Sequence, residues 1–123
     1  MRKVAIVSMM FACAAVAAAQ AGKSTWDGVY TEEQAKRGGE VFDRECAGCH
    51  GPAGAGMPSQ YPRVAGQFSE YVEAQLKAFR IGAGDPQNAG ARVNDPNGMM
   101  RSVAARMTDK EIRAVAEYVA GLR

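Results

Sequence analysis

Histidine, cysteine and tryptophan are scarce in this chain: one histidine, three cysteines and one tryptophan occur in 123 residues. A single histidine excludes any site that needs two imidazoles from one chain. An excess of charge is also missing. Fifteen basic residues face thirteen acidic ones, and Arg2 and Lys3 account for the difference. The chain therefore lacks the basic stripe that nucleic-acid binding requires. No segment alternates apolar and polar residues in the period of a strand, and no internal repeat occurs. The length supports one domain.

The N-terminal residues stand apart from the rest. Arg2 and Lys3 precede an uncharged, largely apolar run from Val4 to Ala19, and Ala19-Gln20-Ala21 has the small-x-small form of a cleavage site. This pattern predicts a cleaved signal peptide over residues 1–21 and export to the periplasm, followed by a leader over 22–30 and a folded domain over 31–123. A membrane anchor is the rival reading, but the run falls short of the roughly 20 apolar residues that span a bilayer. Lipidation at Cys13 is another, and Met10-Phe11-Ala12 makes a poor recognition sequence for it. Cleavage leaves Cys46 and Cys49 as the only cysteines. An oxidising compartment permits disulfides, yet a pair this close closes almost no loop and makes a weak staple.

Three helices are predicted in the domain. Thr31 opens the first, with Gln34 completing a capping box and Ala35, Gly38, Phe42 and Cys46 at helical spacing. Gly38 and Gly39 cost helix propensity, which makes sense if another backbone comes close at Gly38. Gly51 to Tyr61 reads as a loop from its glycines and prolines, and irregular chain continues to Gln67. Ser69 is the expected cap of a second helix carrying Tyr71, Val72, Leu76 and Phe79, with Gly82 as its stop. Ala83 to Gly98 reads as a long loop. Thr108 and Glu111 form a second capping box. Behind it Ile112, Val115, Ala116, Val119 and Leu122 share one face, and Met107 and Ile112 occupy the positions of a hydrophobic staple.

The chemistry lies in Cys46-Ala47-Gly48-Cys49-His50. Two thiols one helical turn apart suit the two vinyl groups on one porphyrin edge, and the next residue offers an imidazole to the iron. This spacing is a c-type haem attachment signal. Structural zinc needs four ligands, and only these three Cys and His residues remain after cleavage. A thioredoxin-like pair needs a βαβ setting, for which there are no strands. The sequence therefore predicts one covalent haem c in a small all-α domain, helices and long loops wrapped around it. A domain this small has little apolar core of its own, so the polypeptide without haem is expected to fold poorly. With His50 as one axial ligand, the other must be methionine, a less usual group, or nothing. Met57 follows His50 too closely to cross to the other face, and Met107 is used by the staple. Met99 and Met100, in the loop before the last helix, remain.

These residues resemble the class I cytochromes c, in particular one domain of the diheme bacterial c-four type or its monohaem relatives. The segments that carry the likeness are Tyr61-Pro62-Arg63-Val64-Ala65-Gly66-Gln67, Tyr71 to Gly82, Asn94 to Met100 and Met107 to Ile112. The resemblance implies Met100 as the sixth ligand, with Met99 as the alternative. It further implies Pro62 as the carbonyl that receives the proximal imidazole N–H, and Gly38 and Phe42 crossing the last helix opposite Tyr118. It implies an electron carrier and no enzyme. The donor would be a dehydrogenase or quinol-oxidising complex and the acceptor a terminal oxidase or reductase. Arg63 and Arg92 are candidates for the propionates. The chain departs from the c-four type in having one attachment motif where that type has two. The leader from Trp26 to Thr31 resembles cytochromes associated with periplasmic dehydrogenases, so a haem-bearing dehydrogenase subunit is the first rival. A haem enzyme or gas sensor with an open sixth site is the second.

Overall fold

A computed structural model describes residues 31–122. The predicted signal peptide and leader lie outside the described residues. Five α-helices follow one another: α1 (Glu32–Glu45), α2 (Ala47–His50), α3 (Ser69–Gly84), α4 (Met99–Ala105) and α5 (Asp109–Gly121), with a short 3-10 turn at Pro96–Gly98. Among the described residues there is no strand, only an isolated bridge between Met57 and Tyr61.

Both expected capping boxes are present. The Gln34 N–H donates to Thr31 Oγ1 at 3.2 Å while the Thr31 N–H donates to Gln34 Oε1 at 2.8 Å. Thr108 and Glu111 repeat the exchange at the start of α5, at 2.9 and 3.2 Å. Each box satisfies donors that the first turn of a helix leaves without partners.

The core forms where α1 and α5 cross. Phe42, Ile112, Val115 and Ala116 are fully covered there, with Val41, Val119 and Met107 close to it. Burial of both Met107 and Ile112 suits the staple. Gly38 makes the crossing possible: a Cβ on it would stand 2.5 Å from the Ala114 carbonyl oxygen and 2.6 Å from Tyr118 Cβ. One turn later the rings of Phe42 and Tyr118 lie 5.5 Å apart, tilted by 47°. Leu76 on α3 completes the cluster.

The second helix departs from expectation at both ends. Phe68 is its N-cap and no side chain caps it; the Ser69 hydroxyl turns to Glu70 instead. Gly82 does not stop the helix, which runs on to Gly84. Its role is spacing. The Arg92 carbonyl oxygen would be 2.6 Å from a Cβ at Gly82, and the Arg92 N–H donates to the Ala78 carbonyl at 2.9 Å. The chain after α3 thus lies back along the helix. The Arg92 guanidinium sits 4.5 Å over the Phe79 ring and donates to Gln75 and Asn94. The long loop therefore has protein to pack on.

The chain before α5 is also more ordered than a loop. Met99 to Ala105 is helical. It begins at Gly98 without a capping side chain, so the cue that marked α1 and α5 was missing. The spacing of Met100, Val103, Ala104 and Met107 carried the signal.

Candidate functional site

Cys46 is the joint between α1 and α2. Its N–H donates to the Phe42 carbonyl at 2.8 Å, and its own carbonyl accepts from His50 at 2.9 Å and Cys49 at 3.2 Å. The turn carrying both thiols and the imidazole is thereby continuous with α1, which buries Val41 and Phe42 in the core. Neither cysteine is in a disulfide; Cys46 is half-buried and Cys49 exposed. Burial pushes the Cys46 thiol up to about 11, and Glu45 and Cys49 add to the effect. A thiol–disulfide catalyst needs the reverse, a lowered pKa on its attacking thiol.

His50 is the one polar or charged residue that is buried as a whole among the described residues. Its Nδ1 lies 2.7 Å from the Pro62 carbonyl oxygen. A carbonyl can only accept, so Nδ1 is the donor, and the tautomer this selects leaves the lone pair on Nε2. The Tyr61 ring meets the imidazole edge-on at 6.4 Å.

The loop from Gly51 to Gly66 brings Pro62 to this position. It doubles back on backbone hydrogen bonds: Gly56 N–H to His50 O, Met57 and Tyr61 reciprocally, and the Val64 and Ala65 N–H groups to Gly54 O, all between 2.7 and 3.0 Å. Gly56 is its tightest point. Its φ is +76°, and a Cβ there would lie 2.6 Å from Arg63 N and Tyr61 O. The sequence marks this stretch as a loop from its glycines and prolines, and the resemblance implies the role of Pro62; its folding back on itself is a long-range property with no local period.

Cys46, Cys49, His50 and Pro62 form one constellation. The two methionines sit on a separate segment, in the first turn of α4. Met100 is half-buried and packs on the same core cluster that Cys46 and Ala47 touch. Met99 is 42 % exposed, Met57 is 49 % exposed and Met107 is buried at 4 %. Arg92 is committed to Phe79, Gln75 and Asn94, whereas Arg63 is exposed.

Two ionic clusters flank these elements, and the sequence reading missed both. Glu45, beside Cys46, accepts from Arg106 at 2.9 Å and Arg44 at 3.0 Å, and Arg44 also reaches Glu111 at 2.7 Å. Hydrogen bonds from Arg106 and then Arg44 hold the Glu45 carboxyl below its usual range. At the other end Asp95 meets Arg101. Burial pushes Asp95 up, but hydrogen bonds from the Arg101 main chain and guanidinium outweigh it and the carboxyl ends below its ordinary value.

These donors fit a covalent haem. Two free thiols lie on one turn, and an imidazole follows them with Nδ1 anchored and Nε2 left to bind iron. Among the described residues no cluster of three or more His, Cys, Asp or Glu could hold a bare metal ion.

Comparison with known proteins gives the same direction. The family profile described as cytochrome c matches residues 35–123. A thiosulfate dehydrogenase electron acceptor from Stutzerimonas stutzeri is 46 % identical over 78 residues, 63 % of this chain and 32 % of that protein. Cytochrome c4 from Azotobacter vinelandii is 44 % identical over 90 residues, 70 % of this chain and 39 % of its own length. The solved structure of reduced cytochrome c4 from Pseudomonas stutzeri superposes with a TM-score of 0.63 at 31 % identity, covering 76 % of this chain and 50 % of that one. The chain thus spans well under half the length of these two curated relatives.

Proposed function

The chain belongs to the cytochrome c family, and from that premise we propose that it is a periplasmic one-electron carrier with His50 and Met100 as axial ligands to a single haem. Covalent haem c supplies the iron that holds or releases the electron. The residues of the chain do the rest. Cys46 and Cys49 tether the group by thioether bonds. His50 offers Nε2, and Pro62 fixes its tautomer and ring orientation while raising its basicity. Met100 offers a thioether, a soft donor that favours the ferrous state and raises the potential. If His50 and Met100 both held the iron, the chain would leave no site on it for substrate, as befits a carrier rather than an enzyme.

The observation that carries this reading is the 2.7 Å contact from His50 Nδ1 to Pro62 O, on an imidazole that directly follows the Cys-x-x-Cys turn. The test is spectroscopic. Acid–acetone extraction should leave the pigment on the protein, and the mass should rise by one haem. The ferric protein should show the weak near-red band of sulfur bound to iron. Met100→Ala should abolish that band and admit carbon monoxide to the ferrous form, while Met99→Ala should leave both unchanged. A reversed result would move the ligand to Met99.

Export is supported by the N-terminal pattern. No helix among the described residues is long and apolar enough to cross a membrane. The proposed donors are dehydrogenases or quinol-oxidising complexes, and the proposed acceptors terminal oxidases or reductases. A dehydrogenase donor gains weight because a relative is a thiosulfate dehydrogenase electron acceptor. Reduction of the purified protein by a thiosulfate-oxidising extract, measured against a quinol-oxidising one, separates the two donors.

A further inference from the structure

The methionine turn is held in an unusual way. Its helix, α4, starts at Gly98, which has no side chain to cap with, and the chain enters through two left-handed residues, Asn97 at φ +55° and Gly98 at φ +65°. Such an entry has little intrinsic preference for one conformation. Asp95 supplies the constraint. Its side chain is only 4 % exposed. Oδ2 accepts the Arg101 main-chain N–H at 3.0 Å, and Oδ1 accepts Arg101 Nε at 2.8 Å. The Asp95 carbonyl takes the Gly98 N–H at 3.2 Å, and the Ser102 hydroxyl donates to the Gly98 carbonyl at 2.8 Å. Met99 and Met100 are therefore spanned by a carboxylate that grips the next residue by both main chain and side chain.

We infer that Asp95 is a positioning residue for Met100: by clamping Arg101 it fixes the turn that carries the thioether and governs how readily another ligand displaces it. The inference rests on Met100 being the sixth ligand. It concerns the lifetime of the sulfur–iron bond and not its existence. The comparable surface pair, Arg80 with Asp109 at the start of α5, is exposed on its acid side and touches no residue of the methionine turn. It serves as the control.

The experiment measures how fast imidazole displaces the sixth ligand of the ferric holoprotein, together with the near-red band and the urea midpoint. Asp95→Asn keeps the side-chain volume but breaks the charged pairing. It should speed displacement roughly tenfold or more, as loss of a hydrogen bond between charged groups implies, while retaining a weakened band. Arg101→Gln should act alike, and the double variant should add little to either. Asp109→Asn should leave the rate unchanged. If Asp95→Asn yields too little folded protein, Arg101→Lys, which loses the Nε donor but keeps the charge, should still speed displacement. Displacement within twofold of native in these variants, with only the urea midpoint lowered, would overturn the clamp. A native protein without the sulfur band, unaltered by Met100→Ala, would instead overturn the ligand assignment and the clamp with it.

Discussion

The α1–α5 crossing and the 51–66 loop both bring distant backbone into contact, by opposite means. The crossing depends on a missing side chain at Gly38 and on apolar surface: Phe42, Ile112 and Val115 are sealed around it. The loop buries little, and much of it is exposed. It is held by backbone hydrogen bonds and by residues with positive φ at Gly51, Gly54, Gly56, Ser59 and Gly66. Burial gives the first region stability without need of a cofactor. Hydrogen bonding gives the second a defined shape at little net gain, since each bond replaces one to water. The stable region carries the cysteines, and the shaped region aims the histidine.

The largest break in this comparison is removal of the tether. Cys46→Ala with Cys49→Ala should yield protein without covalent haem. The crossing should keep much of its helical circular dichroism, while cooperative melting is lost because the 51–66 loop loses the cofactor that binds only the native state. Native-like cooperative melting of this variant would show that the loop needs no such support.

Gly38→Val attacks the other region. The new side chain would meet the Ala114 carbonyl and Tyr118 Cβ, atoms of the partner helix that cannot swing aside. Overpacking of this kind should cost about 3 kcal/mol, read from urea denaturation. The spectrum of whatever protein remains folded should be native.

Gly56→Ala should invert that pattern. Holding alanine at φ +76° and against the 61–63 backbone should cost about 2 kcal/mol, less than the crossing variant. The potential should shift, because the Pro62 carbonyl can no longer stay at 2.7 Å from His50. An unchanged potential would separate the loop from the imidazole.

The smallest effect is ionic. Glu45 is held below the ordinary carboxylate range by Arg106 and Arg44, so the folded state binds its proton more weakly than the unfolded one. Its contribution is complete above about pH 4.3, the usual glutamate value. It falls away as the pH drops towards the lowered folded value. Arg106→Gln should lower the urea midpoint slightly at neutral pH, leave the value at the acid end little changed, and so flatten the acid limb.

The sequence made some of this legible for identifiable reasons. Thr31 with Gln34 and Thr108 with Glu111 announce helix starts through contacts three residues apart. The attachment motif is contiguous, and Gly38 stood out because glycine inside a helix asks for an explanation. Helix α4 was missed because Gly98 gives no capping side chain. Gly82 was misread as a stop because its partner, Arg92, lies ten residues away across a turn. The grip of Asp95 on Arg101 and of Arg106 on Glu45 depends on the path of the chain between them, which local pattern does not encode.

The two helices that seal the core stand at opposite ends of the domain, α1 beginning at Glu32 and α5 ending at Gly121. That arrangement sets a timetable. A chain made from its N-terminus presents Cys46, Cys49 and His50 long before Ile112, Val115 and Val119 exist, and Val41 and Phe42 have no lasting cover until they do. Contacts this far apart in sequence form late. Until α5 docks, then, the two thiols sit on an unfinished surface that is open to the porphyrin, and closure by the last helix follows as a separate event.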